Sequence, residues 1–485
     1  MQEKRLFPVA ATLAAVLAAP TQALATNGMN MEAYGARAGG MGGAAYAYDA
    51  GNSAVMNNPA TLSLPGGDLD RLGLGLTVLG PDVASRYDAA GARSESDGTA
   101  YYMPSVSYMR KRGGITYGAA VLAQGGMGTE YGRADDPADL FYGGLSMMNN
   151  PTQLSGQEIR SEVGVGRLML PVAVEVGERL GLAAQLDLVW AGMDLQMDLS
   201  GAQFADLVNP MSHQLGEASG TMVDGFNAMI GGGMIQDVHW ARFDFSNHSH
   251  FTGEAVGIGY GAKLGLVYRV NDSLTVGASY HSKTRISDLE AGDATLSFRA
   301  DFDTGGGTAT QTIPVSGEVT VKDFQWPETY GLGAAWRVNG RLMLAADVTR
   351  INWSGAMSDF RMVFTADDTP ANGDFAGTRL DSTLYQDWDD QYVFAFGGQY
   401  RVTPALTVRL GMNVATNPIP GAYLNPLFPA IVERHYTAGF GYAFNDHSQL
   451  GMAVAYAPEV TQTNDAGVAS DHGQLTWRVN YVHRF

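Results

Sequence analysis

Ser246, Asn247, His248 and Ser249 stand together in one polar stretch, and His281 directly precedes Ser282. A hydroxyl beside an imidazole is the raw material for a nucleophile and its general base. Hydrolysis would also need an orienting partner and a strained elbow around the nucleophile, and neither stretch carries that motif. The chain is therefore read as a non-enzyme. His239, Asp244, His248 and His250 offer imidazole and carboxylate ligands of the kind a transition metal takes. Their spacing is loose and no second His-rich segment joins them, so neither a metal nor another cofactor is expected.

Binding is better supplied than catalysis. Leu140, Phe141, Leu145, Met147 and Met148 lie in one long connection, and Met222, Phe226, Met229 and Ile230 in another. Methionine repacks around different shapes, so clusters of this kind suit capture of greasy ligands; the alternative is that the two connections bury these residues against each other. If the ligand carries a carboxylate, its burial requires a cation or strong donor. Arg160, Arg167 and Lys322 are the basic residues proposed for that task, with Lys263, Arg409 and Arg434 as further possibilities. The competing reading is that such residues pair with interior acids such as Asp347.

The elements that would position these groups are strands. Leu475, Trp477, Val479, Tyr481, His483 and Phe485 fall on one face of the C-terminal segment, and Thr476, Arg478, Asn480 and Arg484 on the other. About twelve residues at ~3.3 Å each, tilted ~40°, cross the ~25 Å apolar band of an outer membrane. A half-exposed strand of a soluble sandwich would alternate in the same way. The rest of the chain decides between them.

Lys4 and Arg5, the apolar run 6–19 and Ala23-Leu24-Ala25 have the form of a signal peptide spanning residues 1–25, which places the mature start at Thr26. Glycine makes up 62 of 485 residues, nearly twice the usual ~7%. It sits inside alternating segments, where it permits curvature and close backbone approach. With no cysteine in an exported chain, disulfides do not hold the fold together. A closed sheet can, because it pairs every backbone group. The net charge of −19 argues against a nucleic-acid partner. Acidic connections such as the one holding Asp367, Asp368 and Asp374 are either a solvated rim or sites for divalent cations bridging to lipid headgroups.

Short turns (Lys111-Arg112-Gly113, Asn271-Asp272, Asn339-Gly340, Thr403-Pro404, Asn445-Asp446-His447) alternate with long connections (80–98, 125–157, 200–253, 301–311, 365–382, 417–431, 460–471). That alternation predicts an all-β transmembrane antiparallel barrel of about 14 strands over residues 68–485, with turns in the periplasm and loops outside. Residues 312–338 contain Pro327 and are read as one long strand bent at the proline. A barrel of this size is too wide for its own side chains to fill. Residues 26–67, irregular and glycine-rich, are the candidate plug of its lumen.

At this point a family resemblance becomes specific. Ala38-Gly39-Gly40-Met41-Gly42-Gly43-Ala44, then Asp49, then the motif Asn58-Pro59-Ala60 resemble the N-terminal hatch of the FadL/TodX family of outer-membrane transporters for hydrophobic compounds. Residues 342–348 with Asn352-Trp353-Ser354, and the hairpin from Lys263 to Lys283, are similar to further family segments. The resemblance implies a plugged fourteen-stranded barrel in the outer membrane of a Gram-negative bacterium. It also implies uptake of long-chain fatty acids, or alternatively of aromatic or aliphatic hydrocarbons, with sideways release at a kinked third strand. Gly118, Gly125 and Gly126 are available for that kink, though glycine in a curved strand has an equally good structural reading. A general porin or adhesin barrel is the reading from a different class, and it leaves the glycine-rich opening unexplained. The expected partners are a hydrophobic small molecule, outer-membrane lipid or lipopolysaccharide, and the barrel assembly machinery during insertion; the expected state is a monomer.

Overall fold

The computed structural model describes residues 27–131, 154–209, 211, 214–249 and 253–485. The proposed signal peptide and the loop residues Leu140, Phe141, Leu145, Met147 and Met148 lie outside the described residues. No helix among the described residues is long and apolar enough to cross a membrane.

The described residues form one sheet of twenty-two strands. In chain order these are β1 (Leu69–Tyr87), β2 (Ala92–Glu95), β3 (Tyr101–Arg112), β4 (Ile115–Tyr131), β5 (Ile159–Val176), β6 (Leu180–Ser200), β7 (Gly216–Ser219) and β8 (Ile235–Phe245). There follow β9 (Ala255–Arg269), β10 (Leu274–His281), β11 (Arg285–Ile286), β12 (Leu289–Asp303), β13 (Thr308–Lys322), β14 (Thr329–Arg337) and β15 (Leu342–Ile351). The last are β16 (Asp359–Ala366), β17 (Arg379–Tyr385), β18 (Gln391–Arg401), β19 (Leu406–Ala415), β20 (Arg434–Ala443), β21 (Ser448–Thr463) and β22 (Ala469–Arg484).

An antiparallel circuit runs from β1 through β3, β4, β5, β6, β9, β10, β14, β15, β18, β19, β20, β21 and β22. β22 then pairs with β1 from Arg71↔Arg484 to Arg86↔Ala469, so the circuit closes and has no free edge. Tight turns at one end repeat a single device. The side-chain oxygens of Asn271, Asn339 and Asn445 each accept hydrogen bonds from two backbone N–H groups, those of the last turn residue and of the first residue of the next strand. Outward side chains are apolar and uncovered: Leu76, Leu186, Leu188, Leu332, Phe394, Leu410 and Trp477 are all exposed. In water such a surface would aggregate; in a bilayer it is solvated.

The sheet exceeds the expected count of about fourteen strands because the long connections themselves pair. Above the circuit a second array runs β6, β8, β12, β13, β16, β17, β7. Residues 312–338 are accordingly not one bent strand. β13 ends at Lys322 and pairs with β12 and β16, whereas β14 starts at Thr329 and belongs to the circuit. Pro327 has no N–H to continue a ladder, and Asp323 takes a left-handed φ of 53°, so the chain leaves one array and enters the other between them.

Residues 27–67 carry only short helical turns and are almost wholly buried. Their partners come from all round the circuit. Ala36 N donates to Asn480 Oδ1 of β22 (2.6 Å), Gly42 N to Thr437 Oγ1 of β20 (2.9 Å), and Ala45 N and Tyr46 N to Asp347 Oδ2 of β15 (2.6 and 2.9 Å). Lys263 Nζ of β9 donates to Val55 O (2.9 Å), and Lys111 Nζ of β3 to Ser63 O (2.7 Å). Irregular backbone is tolerated at membrane depth when its polar groups are satisfied in this way.

Candidate functional site

β4 is the irregular strand of the wall. Its pairing with β3 starts at Arg112↔Ile115 and stops at Val106↔Val121, although both strands continue. On the other side, Ala123 faces Gly166 but Gly125 faces Val165, which leaves Gln124 as a bulge. A bulge bends its strand, and here the bend separates Leu122–Tyr131 of β4 from Tyr101–Ser105 of β3. The Gln124 side chain is buried and holds the bend: its Oε1 accepts from Arg167 Nε at 2.5 Å, and its backbone carbonyl accepts from the Tyr34 hydroxyl.

The backbone groups of β4 that lose β3 find residues 29–30 instead. Asn30 bridges to Gly125, and Gly126 N donates to Met29 O at 3.1 Å. Glycine is required there, since a Cβ on Gly125 would lie 2.2 Å from Met29 O, and one on Gly126 would lie 2.1 Å from Val163 O. Two of the three glycines assigned to the bend thus sit at the irregularity. Gly118 does not; it faces Met109 in regular β3–β4 pairing.

Three cavities lie in series from this opening inward. The largest, 330 Å³, has Pro104, Ala123 and Gly126 in its lining and reaches the outward-facing Tyr102, Trp190 and Ile258. It shares Leu79, Tyr101, Gly126 and Met127 with an inner cavity of 40 Å³ that is also lined by Met29, Glu32, His435 and His472. Met29 lines in turn a third cavity of 20 Å³, walled by Met193, Met197, Phe324 and Phe360. Shared lining residues thus link a chain of three cavities from beneath the outer array, past Met29, to the lipid face, with apolar ends and a mixed middle.

The outer loop residues divide. Met222 and Phe226 are buried, and the Phe226 ring packs against Phe204, Phe298 and Phe375 at centroid distances of 5.2, 4.6 and 5.0 Å. They serve as core of the outer array rather than as open capture surface, which is the alternative the sequence left standing. Met229 is half-buried against the same core and Ile230 is exposed.

The basic residues chosen for a carboxylate already have acidic partners. Arg160 lies 2.5 Å from Glu162, Lys322 2.8 Å from Asp288, and Arg167 2.8 Å from Asp187, which Lys263 also approaches at 3.2 Å. These pairs agree with the competing sequence reading of structural pairing with interior acids, although its named example, Asp347, has no arginine partner among the described residues and receives the backbone of residues 45–46. Arg409 differs, being buried with no acidic partner among the described residues and with Nη1 unpartnered. It lines a 90 Å³ cavity that shares Met103, Leu122 and Ala123 with the wall opening.

Asn58-Pro59-Ala60 is a structural knot. Asn58 Oδ1 accepts from Ala60 N at 3.0 Å, and its Nδ2 donates to Tyr46 O (2.8 Å) and to Leu266 O of β9 (2.9 Å), so one side chain caps a turn and ties it to the wall. Pro59 fits the first position of that turn because no N–H is needed there. The residues weighed as metal ligands, His239, Asp244 and His248, do not converge. His239 turns to Asp301 (3.1 Å), Asp244 to Arg242 (3.0 Å) and His248 towards Glu158 (3.8 Å), while His250 lies outside the described residues. Hydrogen bonds from Thr310 and His239 hold the Asp301 carboxyl below its usual range. Ser282 Oγ accepts from Ala262 N, and the His281 ring meets the carbonyl of Asn57, so each is engaged with backbone, and the two share no hydrogen bond among the described residues.

Residue reasoning missed Gln124, Met29, His435 and His472. Only the bulge and the enclosed segment bring them to one place, and no local spacing marks them.

Residues 168–481 match the family of outer membrane transport proteins described as OMPP1/FadL/TodX. The crystal structure of the Pseudomonas putida toluene transporter TodX superposes with a TM-score of 0.76 at 27% identity, covering 94% of this chain and 99% of that one. The long-chain fatty acid transport protein of Escherichia coli O6:H1 is 23% identical over 491 residues, covering 97% of this chain and 96% of that one. A Chlorobium limicola protein, known by its place in the 5′ region of a phosphoenolpyruvate carboxykinase gene, is 44% identical over 110 residues. That alignment covers 23% of this chain and 53% of the relative, about half its length.

Proposed function

Because the chain belongs to the OMPP1/FadL/TodX family of outer-membrane transport proteins, we propose that it takes up small uncharged hydrophobic molecules and releases them sideways through its wall. The carrying observation is the separation of β3 from β4 beyond Val106↔Val121, where an apolar 330 Å³ cavity meets the lipid face. A greasy molecule following that route stays among apolar atoms and need not cross the polar lumen, which is the favourable direction of the hydrophobic effect. Residues 26–67 act as the hatch of a barrel formed by residues 68–485, and their hydrogen bonds to the wall support that role. The chain binds and conducts rather than reacts. It acts as a monomer set in outer-membrane lipid after insertion by the barrel assembly machinery.

Pairing of Arg160, Arg167 and Lys322 with acids favours an uncharged passenger, and TodX, similar over its whole length, is a toluene transporter. A second reading, a long-chain fatty acid, has one specific observation behind it: the unpartnered Arg409 Nη1 beside the wall opening could hold a carboxylate.

Uptake of labelled toluene and of labelled oleate by cells with and without the protein tests both. Faster entry of unchanged toluene supports the first reading, and faster entry of oleate that is lost on Arg409→Ala supports the second. If neither enters faster while small polar solutes do, the chain is a general porin.

A further inference from the structure

The inner cavity behind Met29 has a mixed lining, with methionines beside Asn30, Glu32, Thr129 and Gln474, and two buried histidines in that lining carry unpartnered nitrogens. His435 is 1% exposed and has no hydrogen-bond partner on either ring nitrogen; His472 is 5% exposed, gives Nδ1 to Pro429 O at 2.7 Å, and leaves Nε2 unpartnered. Both rings line the 40 Å³ cavity together with Met29, Met31 and Met127. Nearly all buried polar groups in folded proteins find partners, and an orphan nitrogen carries the full desolvation penalty. A neutral imidazole supplies one donor and one acceptor, so the pair can both give a hydrogen bond to and take one from the same small group.

Charge narrows the class of that group. Glu32 lines the same cavity, and its carboxylate is spent on Arg478 through hydrogen bonds of 2.6 and 2.8 Å, both side chains being wholly buried. Neither a lysine nor an arginine is in the cavity lining. A ligand carboxylate placed there would be a second buried anion beside Glu32 with no free cation to offset it. A hydroxyl or carbonyl meets no such penalty. Because Leu79, Tyr101, Gly126 and Met127 also line the 330 Å³ cavity, a ligand with its head at the histidines would extend its apolar body into the wall opening.

We propose that His435 and His472 form a polar-head subsite, so that the transported hydrophobes include, and the site prefers, neutral molecules with one hydrogen-bonding group, such as phenols and medium-chain alcohols. The inference rests on the transport reading above and deepens it by naming a substrate class.

Calorimetric binding of p-cresol, toluene and p-toluate to the full chain in detergent tests it, each corrected for partition into the same micelles. The three probes share one body and differ in head. The expected order is p-cresol first, about tenfold tighter than toluene, as one well-made buried hydrogen bond provides, with p-toluate weakest. His435→Leu/His472→Leu should bring p-cresol down to the toluene value while toluene binding holds, and His472→Asn should recover part of the preference. The wild-type order needs no variant and stands even if the double variant misfolds. Equal binding of p-cresol and toluene overturns the subsite but leaves hydrophobe transport intact, as does tightest binding of p-toluate. Binding of none of the three overturns the subsite and the transport reading together.

Discussion

Asn30 and Gly125 form an isolated antiparallel bridge, and through it the segment enclosed by the wall becomes the neighbour of a wall strand. Beyond Val121, β4 exchanges β3 for Met29 and Asn30, and the exchange is possible only because residue 125 has no side chain. The opening in the wall, the enclosed segment and the cavity between them are therefore one construction. Asn30 Oδ1 also accepts from Trp326 Nε1 at 2.8 Å, which links the same point to the residues between β13 and β14. Movement of residues 29–30 would change the opening directly.

Filling the opening should stop release without disturbing the barrel. Ala123 lines both the 90 Å³ and the 330 Å³ cavities. Ala123→Trp should reduce toluene uptake to near the rate of cells lacking the protein, at unchanged membrane levels. A bulky residue at Leu332, which points to lipid and lines none of these cavities, should leave uptake as it is.

Removing residues 27–67 should convert a nearly silent protein into a conducting one. The segment is bonded to strands on all sides of a circuit too wide to be filled by its own side chains. Planar-bilayer recordings of the intact and shortened chains check this, and equal conductance would contradict the hatch.

A smaller change should loosen the same segment. Asp347→Ala leaves the N–H groups of Ala45 and Tyr46 without their acceptor, at about 1–3 kcal/mol each. Brief channel openings should become more frequent in Asp347→Ala. They should be rarer in Asp347→Asn, which keeps an acceptor oxygen.

Phe226→Ala should cost about 3–5 kcal/mol locally, because it removes the ring at the centre of the Phe204, Phe298 and Phe375 cluster. Limited proteolysis should then cut the outer array sooner, while the barrel keeps its heat-modifiable gel migration. Uptake should fall through loss of the outer structure.

The two faces of β22 should respond in different ways. Trp477→Arg places a charge in lipid at about 2–4 kcal/mol near the midplane, and Phe485→Asp exposes a charge at the same face, so both should lower the amount inserted. Arg478→Ala should insert normally. It strands the buried Glu32, a loss of about 3–5 kcal/mol, and should appear as raised conductance. Quantitative membrane fractions and bilayer recordings separate the two outcomes.

The wall was legible in the chain because its information is local. Alternation of Leu475, Trp477 and Val479 with Thr476, Arg478 and Asn480 assigns the faces, and Asn271, Asn339 and Asn445 mark turns whose hydrogen bonds reach only two or three residues ahead. The glycine-rich opening and Asn58-Pro59-Ala60 carried the family. Alternation does not say which strand is the partner, however. A strand facing lipid and a strand of the outer array obey the same two-residue period, so residues 312–338 read as one strand while β13 and β14 belong to different arrays. Register is likewise non-local. The bulge at Gln124 exists because β4 carries one extra residue opposite the consecutive pair Gly166 and Val165 of β5, and that residue turns inward to Arg167 where β4 opens to Met29. The sequence by itself determined a closed, lipid-facing sheet with an irregular segment to enclose. Only the tertiary structure decided where the wall parts and which buried groups line the passage, because those depend on contacts between residues hundreds of positions apart, such as Glu32 with Arg478.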